Sequence, residues 1–324
     1  MTQQIESPPR TTDDVRRLAV DRGDALNLDQ ILVPLNGFRR SEQILPFASM
    51  LADWFSGEIT LFHSLPSTHP DRGARPGQVQ YPDAPHDRGT SLAAAYLEEV
   101  VSRLGPHGVK SRWGVATGDA ASMIASRSAT SSFGIVAVAT TARARPHRFV
   151  LPGLLEGLWR KTAVPLLIVN PLHTSLNGVQ PNSPKQLIVP ISHGAADSAL
   201  PIASAIAGAS RSAIKIVLSK SNSTGEIEDE LINMFSDDNV ELEIIHGERK
   251  MVRQVHGLQA DNPGSWIVTG SKMRSGITRS ILGSTSDILV REAIGPIVVA
   301  PDPKVMRRRK RSAHEATRNL ATSL

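Results

Sequence analysis

The chain has 324 residues, enough for two domains of ordinary size, and its hydrophobic content of 40% is usual for a globular protein. The net charge is +5, but the run at 307–311 (RRRKR) alone supplies five positive charges, so the rest of the chain is close to neutral and does not indicate a nucleic-acid-binding body. The sequence contains no cysteine, which excludes disulfides, thiolate metal sites and cysteine nucleophiles.

The amino-terminal residues 1–27 are mostly polar, and we expect them to form a disordered tail. They lack the basic and then apolar pattern of a signal peptide. No apolar run in the sequence approaches the roughly 18 residues that a membrane helix needs. These features predict a cytoplasmic protein that does not contact a membrane.

Strand and helix patterns alternate through the first part of the chain. The apolar run at 31–35 ends near Asn36-Gly37 and predicts a buried strand followed by a turn. Apolar residues at positions 44, 48, 51 and 55 then share one face of a predicted helix. The further strands are predicted at 58–65, 109–115, 135–139 and 166–169, and the further helices at 91–104 and 119–127. The segment at 66–91 is rich in proline, glycine and charged residues, which predicts a mobile surface loop, with a lid as the alternative.

The second part of the chain repeats the pattern of the first. The stretch ILVPLNGF at 31–38 corresponds to LIVPISHG at 187–194, and LPFASMLA at 45–52 corresponds to LPIASAIA at 200–207. The block at 137–171 aligns with 268–302 without a gap, at a constant offset of 131 residues. We therefore predict two homologous domains, at 28–172 and 184–303, joined by a linker at 173–183.

The alternation of strands and helices predicts an α/β fold with two tandem open domains, each a five-stranded parallel sheet with helices on both faces. The fifth strands, at 166–169 and 297–300, are apolar, and an exposed apolar edge strand is prone to unwanted pairing. We expect the two domains to pair with each other through these edges, around a pseudo-twofold axis.

Ligands of open α/β sheets bind beyond the carboxyl ends of the strands, where the strand order reverses. In the second half this rule brings the turn that begins at Pro190 next to the loop that begins at Gly270. Glycine lets backbone amides approach a phosphate, and the stretch GSTS at 283–286 opens a helix with free N–H groups and hydroxyls. The pattern predicts an anion-binding loop.

Both halves resemble the universal stress protein family. The resemblance rests on the strands ILVP and LIVP with their turns, on the helix of the form LPxAsxlA, and on the fourth-strand loop that leads to Gly283-Ser284 and to the fifth strand. It implies a Rossmann-like five-stranded parallel sheet, often dimerised along its fifth strand, and a role in the stress response. ATP-binding members place an aspartate just after the first strand and hold phosphates with a loop of the form G-x2-G-x9-G-[S/T].

The second half matches this ATP-binding pattern in part. Gly270, Gly283 and Ser284 match, whereas Met273 replaces the middle glycine and Ser192 replaces the aspartate. Losing a charged acceptor weakens binding by about one to two powers of ten. ATP or a related adenine nucleotide is the ligand expected here, and a loop that no longer binds nucleotide is the open alternative. The candidate binding residues are Pro190, Ile191, Ser192, Gly270, Met273, Arg274, Gly283, Ser284, Thr285 and Ser286.

The first half departs further from the pattern. Ala139 and Ala142 replace the first two glycines, Pro152 and Gly153 replace Gly-Ser, and Asn36 replaces the aspartate. Proline has no amide N–H to donate to a phosphate. We therefore expect a degraded site in the first half.

The remaining motifs do not indicate catalysis. The histidines form no metal-binding pattern, although His63, at the end of a strand, is a candidate for lining the crevice of the first half. No residue pair resembles an activated base and nucleophile, so we expect a regulatory binding protein and not an enzyme. An interaction module that binds no nucleotide, and an enzyme with slow ATP hydrolysis, are the alternatives.

Residues 304–324 form a basic tail, which we expect to be solvated and disordered. Binding of this tail to nucleic acid or to an acidic surface is the alternative. Nucleic acid is disfavoured because no aromatic residue interleaves with the arginines to stack on bases. A protein partner remains an open expectation.

Overall fold

The computed structural model describes residues 27–67, 84–139, 153–176, 181–191, 196–219, 225–235, 240–247, 251–271 and 284–322. The strands are β1 (Gln30–Pro34), β2 (Glu58–Leu65), β3 (Lys110–Thr117), β4 (Ile135–Ala139), β5 (Leu166–Val169), β6 (Gln186–Ile191), β7 (Ala213–Ser219), β8 (Leu242–Gly247), β9 (Trp266–Ser271) and β10 (Ile297–Pro301). The helices are α1 (Arg39–Glu42), α2 (Leu45–Trp54), α3 (Ala84–Leu104), α4 (Ala120–Thr130), α5 (Gly153–Lys161), α6 (Pro171–Leu176), α7 (Ala196–Ser210), α8 (Gly225–Phe235), α9 (Met251–Asp261), α10 (Ser284–Glu292) and α11 (Pro303–Thr322).

The described strands form one sheet of ten strands in the order β3-β2-β1-β4-β5-β10-β9-β6-β7-β8. Strands that pair within each half are parallel, as the alternation of strands and helices predicts. The two halves meet at β5 and β10, which pair in the antiparallel sense with Ile297 opposite Ile168. The order of strands in one half is therefore mirrored in the other, and neither fifth strand is left as a free edge.

Aromatic side chains also join the two halves. The fully buried ring of Trp266 on β9 packs against Trp54 and Phe47 on α2, with centroid separations of 5.3 Å and 6.2 Å. On the other side of the sheet, His173 of α6 lies with Nδ1 3.1 Å from the carbonyl oxygen of Ala293. The apolar cores of both halves are thus continuous across the junction.

The predicted helical stripe in the first half is the core-facing side of α2. Ile44, Ala48, Leu51 and Phe55 are all buried, because their spacing places them on one face of this helix. Strands β4 and β5 begin and end at the residues predicted for them. None of the described helices combines the length and the apolar composition needed to cross a membrane.

Helix α3 begins earlier than predicted. Residues 84–91, which we assigned to a mobile loop, form its first two turns. Asp87 in its first turn is favourable near the positive end of a helix, and Ser91 donates its hydroxyl proton to the carbonyl oxygen of Asp87. Residues 68–83 of the predicted loop, and residues 1–26 of the predicted tail, lie outside the described residues.

The expectation of a disordered carboxyl-terminal tail is wrong for residues 304–322, which lie in helix α11. Asp302 begins this helix by accepting the backbone N–H of Lys304 at 2.8 Å, and Pro303 occupies the first helical position, where its missing N–H costs nothing. Arg309 anchors the helix to the first half by donating to the carbonyl oxygens of Trp159 and Thr162 at 3.1 Å and 2.6 Å. Burial lowers the pKa of Arg309 to about 10, so its guanidinium stays charged at neutral pH.

Candidate functional site

The strand order reverses at two places in the sheet. In the second half, β6 pairs with β7 on one side and with β9 on the other, with Leu187 opposite Trp266. The carboxyl ends of β6 and β9 therefore lie side by side, and we call this edge, with the start of α10, the second-half crevice. The corresponding edge at β1, β4 and the start of α5 is the first-half crevice. These are the positions at which open α/β sheets bind ligands.

The floor of the second-half crevice is formed by strand ends. Pro190 and Ile191 end β6 and are buried, so they contribute packing and backbone groups. Gly270, next to the last residue of β9, is buried too. Its carbonyl oxygen accepts the hydroxyl protons of Ser286 at 3.2 Å and of Thr269 at 3.3 Å. The bond from Ser286 ties the first turn of α10 directly to the end of β9.

The opening turn of α10 combines hydroxyl groups with a carboxylate that forms an ion pair with an arginine. Thr285 is half-buried, whereas Ser286 and Asp287 are buried. Burial raises the pKa of Asp287, and the guanidinium of Arg291, 3.1 Å from its carboxylate, opposes that rise. The ion pair offsets a negative charge that would otherwise repel an anion at this helix terminus.

Four of the predicted binding residues, Ser192, Met273, Arg274 and Gly283, lie outside the described residues. Ser284 begins α10. The described residues Pro190, Ile191, Gly270, Thr285 and Ser286 belong to elements that meet at the second-half crevice, and their role in binding remains a prediction.

In the first-half crevice, Asn36 stands in place of the aspartate, and its polar groups form hydrogen bonds within the turn that follows β1. The side-chain oxygen of Asn36 accepts the backbone N–H of Phe38 at 3.1 Å, and the backbone N–H of Asn36 lies 3.3 Å from the hydroxyl of Ser41. Gly37 between them has a φ of +81°, a conformation that glycine adopts without strain. Phe38 is 70% exposed, so an apolar ring flanks this crevice.

The helix that opens after β4 is apolar in its first turn. Leu155 is buried where the repeat places Ser286 in the second half, and Leu154 beside it is exposed. No hydroxyl stands at residues 153–156. Pro152 and Ala142 lie outside the described residues, and Ala139 ends β4.

His63 joins two elements of the first half. Its Nδ1 lies 2.8 Å from the carbonyl oxygen of Leu35, which links β2 to the chain just beyond β1. The ring is only partly buried, close to the first-half crevice. Within the described parts of the chain, no group of three or more histidine, aspartate or glutamate residues is arranged to hold a metal ion.

One concave feature was not predicted. A groove of about 780 Å³ lies between α2 and the end of α3, lined among others by Leu45, Met50, Asp53, Arg103 and Val109. No sequence motif marks it, because its walls come from ordinary positions on two helices that the fold brings together.

Three comparisons place this geometry among known proteins. Residues 27–170 match the model of the universal stress protein family. The chain is similar to a universal stress protein from Archaeoglobus fulgidus DSM 4304, with 17% identity, a TM-score of 0.66, and coverage of 84% of this chain and 98% of that one. It is also similar to a functionally unknown protein from Pseudomonas aeruginosa PAO1, with 13% identity, a TM-score of 0.63, and coverage of 90% and 98%. Among the curated proteins there is no match.

At these identities the likeness to the two solved structures shows the fold alone. That fold extends over both halves of the sheet, since each comparison covers most of this chain and nearly all of the other. The family match, in contrast, lies in the first half. Residues 27–170, the first half of the chain, therefore match the universal stress protein family, and the same five-stranded architecture is repeated in the second half.

Proposed function

We propose that this stress-response protein binds ATP or another adenine nucleotide in the second-half crevice. The observation that carries the proposal is the hydrogen bond from Ser286 to the carbonyl oxygen of Gly270, at 3.2 Å. It joins the first turn of α10 to the end of β9 at the place where the strand order reverses. A helix start held in this position directs its backbone N–H groups toward one point, as a phosphate requires.

Different segments of the second half would contact different parts of the nucleotide. The first turn of α10 offers N–H groups to the phosphates, and Thr285 adds a hydroxyl. Ser286 donates a hydrogen bond to the carbonyl oxygen of Gly270, so it acts as a positioning residue that holds the start of α10 against the end of β9. The chain beyond Ile191 provides the surface for the adenosine, as the resemblance of its turn to the family pattern implies.

We propose regulation, and not catalysis, as the consequence of binding. The sequence offers no pair of base and nucleophile near the loop. Nucleotide would instead order the loop at 270–284 and so change a surface that a partner contacts. A cytoplasmic location is part of this proposal, because its proposed ligand is a cytoplasmic nucleotide.

A second candidate function is an interaction module without nucleotide. Two substitutions in the second half favour it, Met273 in place of a glycine and Ser192 in place of the aspartate. The first-half crevice shows that the same fold is compatible with an apolar opening turn. The two candidates differ in one measurable quantity, the affinity of the second half for ATP.

The test exchanges the residue before the opening helix between the two halves. Residue 283 is glycine and the equivalent residue 152 is proline, at the common offset of 131. Calorimetric titration of ATP into the nucleotide-free protein should show one site per chain. Gly283→Pro should weaken binding by about tenfold or more, because it removes an N–H donor to a charged group.

The control is Pro152→Gly, which should leave the affinity of that single site unchanged. Thermal melting of both variants distinguishes lost binding from lost folding. No heat of binding at millimolar ATP would reject nucleotide binding and favour the interaction module.

A further inference from the structure

We propose that helix α11 presents a basic stripe that binds the phosphate backbone of duplex nucleic acid, independently of base sequence. This inference comes from the carboxyl-terminal helix and not from the second-half crevice. It holds whether or not the protein binds nucleotide.

The stripe is produced by helical spacing. Five cationic residues follow the spacing i, i+3, i+4, i+7 and i+14, which at 3.6 residues per turn places them within a sector of about 100°. We call this set the basic stripe, and its members are Lys304, Arg307, Arg308, Arg311 and Arg318. Arg307 is partly exposed and the other four are exposed.

The opposite side of the helix holds it against the first half. Val305 is buried, and Arg309 donates to the carbonyl oxygens of Trp159 and Thr162 at the carboxyl end of α5. A cation at this end of a helix is favoured by the helix dipole. The anchor therefore fixes which side of α11 faces solvent, and that side is the basic stripe.

The basic stripe keeps a net positive charge, because Glu315 is the single acidic residue in its sector of the helix. In the part of the chain that the structure describes, no carboxylate pairs with Arg307, Arg308 or Arg311. Arg308 also repels the buried guanidinium of Arg309. A row of aligned cations attracts a polyanion, which makes the stripe a site of attraction and not only a solvated face.

The composition of the exposed side favours phosphates over other partners. Helices that dock in protein grooves or lie in a membrane surface need apolar anchors on the docking side. The exposed residues of α11, where exposure is described, are all polar or charged, with Glu315 the single acid among them, and the helix contains no aromatic residue. Four of the five stripe residues are arginines, whose planar guanidinium binds phosphate in a bidentate manner.

The length of the stripe suits a duplex. From Lys304 to Arg318 the helix rises about 21 Å, and duplex DNA carries a phosphate charge about every 1.7 Å of its axis. A straight helix can therefore lie along several phosphates at once. With no aromatic platform for stacking, single strands should bind more weakly, and base sequence should not matter.

The test measures binding of the full-length protein to a fluorescently labelled duplex DNA of mixed sequence, by anisotropy, at a series of salt concentrations. We expect a Kd of roughly 10 μM at low salt, with a slope of log K against log salt of about −4. The triple variant Arg307→Gln/Arg308→Gln/Arg311→Gln should reduce the magnitude of that slope by roughly 3 and bring binding close to the detection limit.

The matched control removes three exposed charges elsewhere, Lys110→Gln/Lys185→Gln/Arg253→Gln, and should keep most of the binding. Circular dichroism and melting should show that both triple variants are folded, since all six side chains reach solvent. Equal loss in the two triple variants would overturn the proposal. So would no binding by the native chain, tighter binding to single-stranded DNA of the same length, or binding only to polyglutamate or to anionic vesicles.

Discussion

In each half of the sheet, the helix after the fourth strand carries an equivalent ion pair, but the two pairs differ in their exposure to solvent. Glu156–Arg160 on α5 and Asp287–Arg291 on α10 are related by the offset of 131 residues. In the first half the side chains are 33% and 41% exposed, whereas in the second half they are 9% and 12% exposed. The residue before the acid is Leu155 in one and Ser286 in the other, both buried.

This difference shows two ways of fixing a helix start to a sheet. Leu155 does so by apolar packing, which needs no particular polar geometry. Ser286 does so by a hydrogen bond to Gly270, which fixes the start of α10 to the end of β9. A polar attachment keeps an opening turn suited to an anion, whereas an apolar attachment contributes to stability only. The duplicated fold has thus become a supporting half and a proposed binding half.

The largest effect on stability should come from a substitution that makes the first half resemble the second. Leu155→Ser removes a buried leucine and buries a hydroxyl without a designed partner, so we expect a loss of about 4 kcal/mol in the free energy of unfolding. Urea denaturation measures it. The neighbouring exposed Leu154→Ser should cost only about 0.5 kcal/mol or less. Similar losses in the two variants would contradict the assignment of Leu155 as the apolar anchor.

The two ion pairs should also contribute unequally to the free energy of unfolding. Arg291→Met leaves Asp287 buried without its partner, so we expect a loss of about 3 kcal/mol. The equivalent Arg160→Met, at a more exposed pair, should cost between about 0 and 1 kcal/mol. Urea denaturation of the two variants at pH 7 provides the comparison, and equal losses would show that the second pair is not buried in solution.

The pH dependence of Arg291→Met sharpens this test. Burial raises the pKa of Asp287, and removing the guanidinium should raise it further. Below the unfolded pKa the carboxyl is protonated in both states and costs nothing, whereas stability falls as the pH rises through the folded pKa. The loss of stability relative to the native chain should therefore be larger at pH 7 than at pH 4. A loss independent of pH would mean that the arginine contributes packing and not charge.

The smallest effect on stability should come from removing the hydrogen bond between Ser286 and Gly270. Ser286→Ala removes the bond to Gly270 at a cost of about 1 kcal/mol, and it should also weaken ATP binding because the start of α10 is no longer held against the end of β9. Thr285→Ala is the control for stability only: its half-exposed side chain, at the preceding position, should cost little stability, although its loss removes a proposed phosphate-binding hydroxyl. If Ser286→Ala alters neither stability nor affinity, the bond does not position the loop.

Much of the fold was predictable because it depends on local patterns. Short apolar runs bounded by turn residues predicted β4 and β5, and a helical stripe predicted the buried face of α2. The repeat predicted pairing of the fifth strands, which in the structure is the β5–β10 pair. Each of these features follows from spacing within a few residues or from comparison of two stretches.

The features that were missed depend on contacts between distant residues. Helix α11 has a start signal in Asp302-Pro303, but its docking depends on carbonyl oxygens at the end of α5, about 150 residues away in sequence. A run of arginines alone is typical of a solvated tail. At the candidate site, the sequence showed that hydroxyl groups lie near a helix start. It did not show that the hydroxyl of Ser286 donates a hydrogen bond to the carbonyl oxygen of Gly270. That assignment depends on how α10 is rotated against β9.

The most direct test of the difference between the two crevices is hydrogen exchange of the full chain, with and without millimolar ATP. The account predicts slower exchange for amides at 190–194 and 270–286, and unchanged exchange at 36–41 and 139–156. Equal protection of the two crevices would contradict the division into a supporting and a binding half. Unchanged exchange throughout would contradict nucleotide binding by this protein.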